Sequence, residues 1–121
     1  DPLVVLGGGS QGAATALAIA ARTARPLAGL LLQAGFVPEG LDVDIDLAGL
    51  RAERVLIQHG TNDEVVPRFI AEDLAAALRS THPDSEIELQ TFDHGHETSV
   101  EMMVAVQDWC SSIRSAHELA P

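Results

Sequence analysis

Three side chains in this 121-residue sequence have the types and surroundings that nucleophilic chemistry needs. Ser10 lies in Gly8-Gly9-Ser10-Gln11-Gly12, a G-x-S-x-G pattern set between an apolar run and an Ala-rich run. A serine on such a strand-to-helix turn is held in strained backbone geometry, and Gly8 and Gly12 are expected to be small because a Cβ at either would collide across the turn. The helix beginning there directs N–H groups and its positive dipole end toward developing negative charge, with the Gln11 N–H as the first oxyanion donor. A hydroxyl is a weak nucleophile at neutral pH, so it requires a base within reach and an acid group that orients the base. Asp63, in His59-Gly60-Thr61-Asn62-Asp63, and His96, in Phe92-Asp93-His94-Gly95-His96-Glu97, each follow a predicted strand. Working groups collect at that end of a parallel sheet.

The elements that must position these residues are legible as alternating short apolar runs and helical patterns, which predicts an α/β fold with a mainly parallel sheet and flanking helices. Leu3 to Leu6 reads as a strand ending in Gly7, Gly8 and Gly9, and Gln11 to Ala24 as a helix with small faces. Leu27 to Ala34 and Arg54 to His59 are uniformly apolar enough to be central strands. Between them, Val37 to Arg51 reads as a long, exposed, acidic connection. Ile70, Leu74, Ala77 and Leu78 recur at helical spacing, predicting a helix from Pro67 to Ser80. Glu86 to Phe92 alternates, with Ile87 and Leu89 on one side, as an edge strand does. Thr98 and Glu101 form a capping box, and Met103, Val106, Cys110 and Ile113 repeat along one face of the last helix. Nothing divides residues 1–121, so one domain is expected.

Composition narrows the partners. Seven basic against eighteen acidic residues give a net charge of −11, which repels nucleic acid and anionic lipid surfaces. One cysteine, Cys110, can form neither an internal disulfide nor a Cys-rich zinc site. That cysteine usage fits a reducing, cytoplasmic setting, and the N-terminus lacks the basic start of a signal peptide. No apolar run approaches the roughly 20 residues needed to span a bilayer.

The chain resembles the α/β-hydrolases, and within them the phospholipase/carboxylesterase group of small serine esterases. The resemblance covers nearly the whole sequence and rests on Gly-Gly-Ser-Gln-Gly around Ser10, on His59 to Pro67 around Asp63, and on Gly95-His96-Glu97 around His96. The order Ser, Asp, His is that of α/β-hydrolases and differs from the chymotrypsin and subtilisin orders. The resemblance implies Ser10 as nucleophile, His96 as general base and acid, and Asp63 as its orienting partner. It implies hydrolysis of carboxylic esters through an acyl-enzyme, with no cofactor and no metal, on a small-molecule ester substrate. A lysophospholipid or thioester is next. A peptidase of the same fold, or a non-catalytic hydrolase-like binding chain, is the alternative. Members usually carry further strands before the nucleophile, so this chain resembles the C-terminal half and lacks the N-terminal strands. Additional polypeptide or a second copy is therefore expected to cover the edge of the first strand. Gly9 departs from the bulkier residue more often found before the serine.

Other readings attach to the same residues. His94 is the competitor of His96, and Glu97 reads as a first-turn helix acid. Gly7, Gly9 and Gly12 satisfy G-x-G-x-x-G, yet the next strand ends in Gln33-Ala34-Gly35 without the carboxylate that a dinucleotide site needs. Asp42, Asp44, Asp46 and Glu53 invite a calcium loop, against which Leu47 stands where glycine is required. A solvated acidic loop with Val43, Ile45 and Leu47 turned inward is preferred. Cys110, Trp109, Met102 and Met103 read as packing groups.

Overall fold

A computed structural model describes residues 3–37 and 46–119. The elements run β1 (Val5–Gly9), α1 (Gln11–Arg22), β2 (Leu27–Gln33), β3 (Ala52–Gly60), α2 (Arg68–Thr81), β4 (Glu86–Phe92) and α3 (Val100–Leu119). The four strands form one parallel sheet in the order β1-β2-β3-β4. Every strand therefore ends at the same side, and the loops after β1, β3 and β4 open there together.

Alternation along the strands divides the core into two layers. Leu30 and Leu32 of β2, Val55 and Ile57 of β3, and Ile87 and Leu89 of β4 pack with α1 and α2. The alanines of α1 carry no bulk, so Ala13, Ala16 and Ala20 bring that helix close to the sheet around Leu17. From α2, Ala71, Leu74, Ala75 and Leu78 close the same layer. On the other face Leu56 meets Trp109 and Ile113 of α3. Each fully buried leucine or isoleucine contributes about 1.5–3 kcal/mol relative to exposure.

Several boundaries differ from the sequence expectations. The first strand does not stop at its glycines: Gly7, Gly8 and Gly9 pair with Leu31, Leu32 and Gln33. Backbone pairing to a buried neighbour overrides the poor strand propensity of glycine. The last helix is capped by Ser99, whose Oγ accepts from the Met102 N–H at 3.1 Å, and not by Thr98. Glu97 consequently lies in the loop, and Glu101 is the acid of the first turn. The buried stripe of α3 is Met102, Trp109 and Ile113, with Val106 and Cys110 packed partly buried against it as expected, whereas Met103 is 49% exposed and Met102 takes its place.

Of the acidic loop, Asp42, Val43, Asp44 and Ile45 lie outside the described residues. Asp46 caps a short 3-10 turn at Leu47–Gly49 by accepting from the Ala48 N–H, and Leu47 packs against the core. Glu53 accepts from His117 of α3 at 3.0 Å. Among the described residues no cluster of His, Cys, Asp and Glu is arranged to hold a metal ion, and no helix is long and apolar enough to cross a membrane.

Candidate active site

Ser10 stands between β1 and α1 with φ 54° and ψ −116°, a left-handed conformation that a side chain adopts only under constraint. The constraint is visible. Its N–H donates to the Gln33 carbonyl at 2.7 Å, and its own carbonyl accepts from Ala13 and Ala14 of α1, both at 3.1 Å. Gly8 permits this turn, since a Cβ there would meet the Gly12 backbone and lie 2.8 Å from the Ala13 nitrogen. The expectation for Gly12 is corrected: a Cβ at Gly12 meets nothing within 4 Å among the described residues. The crowding across the turn belongs to Gly8 alone. Gly9 is also roomy, with its nearest neighbours at 3.9 Å.

The loops after β3 and β4 are tied to one another. Thr61 and Asn62 donate backbone N–H groups to the carbonyls of Phe92 and His94 at 2.8 and 3.0 Å, and the Asn62 amide donates to Asp93 at 2.9 Å. This lacing brings His96 over Asp63. The His96 Nδ1–H donates to Asp63 Oδ2 at 2.7 Å, and the opposite ring nitrogen, Nε2, lies 3.0 Å from Ser10 Oγ. A carboxylate only accepts, so Nδ1 carries the hydrogen and Nε2 is left to accept from the serine hydroxyl. The three residues picked from the sequence thus meet in one hydrogen-bonded line.

Asp63 is fully buried at its side chain. Burial alone would push its carboxyl up, but N–H groups of Val66 and Val65, at 2.7 and 2.8 Å from Oδ1, together with the His96 contact, hold it below its ordinary value. The group is an anion held within hydrogen-bond reach of the His96 ring. Gln11 opens α1 directly after Ser10, where an N–H has no intrahelical acceptor. Ser10 and His96 line a cavity of about 240 Å³ with Gly9, Gln33, Ala34, Glu97 and Thr98.

His94 takes a different place. Its Nδ1–H donates to the Gly95 carbonyl at 2.9 Å, its Nε2 meets Ser99 Oγ at 3.1 Å, and its ring stacks on Phe92. It fastens the loop to the cap of α3. Sequence reasoning missed His59. That residue is 0% exposed, its Nε2–H donates to the Val66 carbonyl at 2.7 Å, and the same nitrogen is 3.4 Å from Asp63 Oδ2. Its spacing of four residues from Asp63 was the available signal. Also missed was a run of amides: Gln33 donates to Gln58 at 2.8 Å, and Gln58 donates to Gln90 at 2.9 Å and to the Met102 carbonyl at 3.0 Å.

A family model described as phospholipase/carboxylesterase matches residues 2–113. No curated protein matches the chain in sequence. Solved structures with the same fold include Arabidopsis thaliana SOBER1, at 23% identity and a TM-score of 0.75, with 91% of this chain and 52% of that one covered. The Bacillus cereus carboxylesterase is similar at 22% identity and a TM-score of 0.71, covering 90% of this chain and 49% of that chain. Zea mays acyl-protein thioesterase 2 gives 22% identity and a TM-score of 0.72, covering 93% and 58%. The chain thus spans about half the length of the structures it matches.

Proposed function

Because this chain belongs to the phospholipase/carboxylesterase family of α/β-hydrolases, we propose that it hydrolyses carboxylic esters through an acyl-enzyme on Ser10. The observation that carries this reading is the line Ser10 Oγ, His96, Asp63, with its 3.0 and 2.7 Å hydrogen bonds. His96 Nε2 takes the hydroxyl proton as Ser10 Oγ attacks the acyl carbon, and the Asp63 carboxylate balances the imidazolium. The Gln11 N–H holds the oxyanion of the tetrahedral adduct. His96 then returns the proton to the departing alcohol, and water releases the acid by the same two steps.

The cavity beside Ser10 suits a small or medium acyl group. Among the described residues no Arg or Lys lines the cavity beside Ser10 to hold a phosphate. A thioester would be attacked in the same way, and a peptide would demand better protonation of its leaving nitrogen. Residues 1–121 are read as one α/β-hydrolase-like unit that forms part of a larger whole. β1 pairs only with β2 among the described strands, and Val5 is 39% exposed. Additional polypeptide, in this chain or another, is proposed to lie along that edge and to bring a second oxyanion donor. A reducing, cytoplasmic setting suits the free thiol of Cys110.

The test is labelling of the full chain with a fluorophosphonate and turnover of p-nitrophenyl acetate. Labelling at Ser10 and its loss in Ser10→Ala are expected. An intact preparation that neither labels nor hydrolyses the ester is the binding chain of the alternative reading.

A further inference from the structure

A buried histidine with one idle nitrogen requires an explanation. Among the buried side-chain polar atoms of the described residues, His59 Nδ1 has no hydrogen-bond partner. Such an orphan is costly, and an apolar side chain would fill the site without it. The compensation must lie at the other nitrogen. A carbonyl only accepts, so the 2.7 Å contact with Val66 fixes the hydrogen on Nε2. That N–H donates to the Val66 carbonyl, and Asp63 Oδ2 lies 3.4 Å from the same nitrogen without forming a second hydrogen bond to it.

Val66 belongs to the carboxylate's own cradle. The Val66 N–H donates to Asp63 Oδ1, so holding Val66 at its carbonyl, across its Cα from that N–H, restrains the residue whose N–H grips Oδ1. Oδ2, the oxygen beside His59, is the one that accepts from His96. We propose that His59 is a positioning residue for the acyl-transfer reaction: its Nε2–H holds the carbonyl of Val66, restrains the residue whose N–H grips Asp63 Oδ1, and so sets the direction in which the carboxylate receives His96. The inference rests on the reading of Ser10, His96 and Asp63 given above.

His59 does not touch the cavity beside Ser10, so its removal is expected to act on kcat and to leave KM unchanged. In the full chain, His59→Leu lowers kcat for p-nitrophenyl acetate by about 10-fold or more. His59→Gln, whose amide can offer N–H groups at similar reach, recovers most of that loss. A folded His59→Leu variant with wild-type kcat overturns the proposal, as does a folded His59→Gln variant no better than His59→Leu. Long-range 1H–15N correlation on the wild type reads the ring directly, without relying on any variant to fold. Hydrogen on Nε2 is expected, and hydrogen on Nδ1 alone overturns the role. Wild-type turnover with an unaffected His59→Leu variant rejects only this inference. A wild type that neither labels nor turns over rejects the reading beneath it.

Discussion

Gly60 lies directly beneath the carbonyl of Gly95, so closely that a Cβ on Gly60 would fall under 3.0 Å from that oxygen. The end of β3 and the loop carrying His96 touch backbone to backbone. Gly60→Ala is therefore expected to lift the loop and carry His96 away from Asp63. A misplacement of that order costs roughly 100-fold in rate. Kinetics on an activated ester, with circular dichroism as the check on folding, measures it.

At the nucleophile turn, Gly8 and Gly9 separate two causes. Gly8→Ala drives a methyl into the Gly12 and Ala13 backbone, whereas Gly9→Ala has its nearest neighbours at 3.9 Å. Fluorophosphonate labelling of Ser10 should fall severely in the first variant and stay within a few-fold of wild type in the second. Equal loss in both would refute the steric account.

Removing Gln58 breaks the amide run at its centre. Gln58→Leu removes its bonds to the Met102 carbonyl and to the Gln33 and Gln90 amides, at a cost of about 1–3 kcal/mol. A lowered urea midpoint with an unchanged m-value is the expected result.

Asp63 gives the pH dependence a definite sign. Its folded carboxyl titrates lower than it does in the unfolded chain, so the unfolded state binds more protons as pH falls. The stability it contributes is present above the unfolded value, near ~3.9, and is lost as pH drops through the folded value. The gap in urea midpoint between wild type and Asp63→Asn should narrow on acidification through that window. Near neutrality the same variant should lose on the order of 10⁴ in kcat, because an asparagine cannot hold His96 in the required tautomer as a carboxylate does.

Much of this arrangement was legible in the sequence because the relevant signals are local. The apolar runs of β2 and β3, the alternation in β4 and the spacing in α2 each depend on near neighbours, and the turn at Ser10 advertises itself through Gly8. The cap of α3 did not, since Thr98 and Ser99 carry equivalent hydroxyls and only the path of the His94 loop, which sets Ser99 against the imidazole, chooses between them. His59 and the run Gln33, Gln58, Gln90 were illegible for another reason. Their partners are set by strand register and by the turn at Val66, and neither is a property of the residues themselves.

The strand order has a practical consequence for anyone wishing to redirect this molecule. Ser10 comes from the sheet's first strand and His96 from the loop after its fourth, so the imidazole reaches the serine across the crest of β2, where Ala34 turns aside with φ 49°. Gln33 and Ala34 form part of the cavity wall yet give no side chain to the line of Ser10, His96 and Asp63. Under the proposed esterase reading, a mutant library confined to that crest is expected to reshape the cavity wall while leaving Ser10, His96 and Asp63 in place.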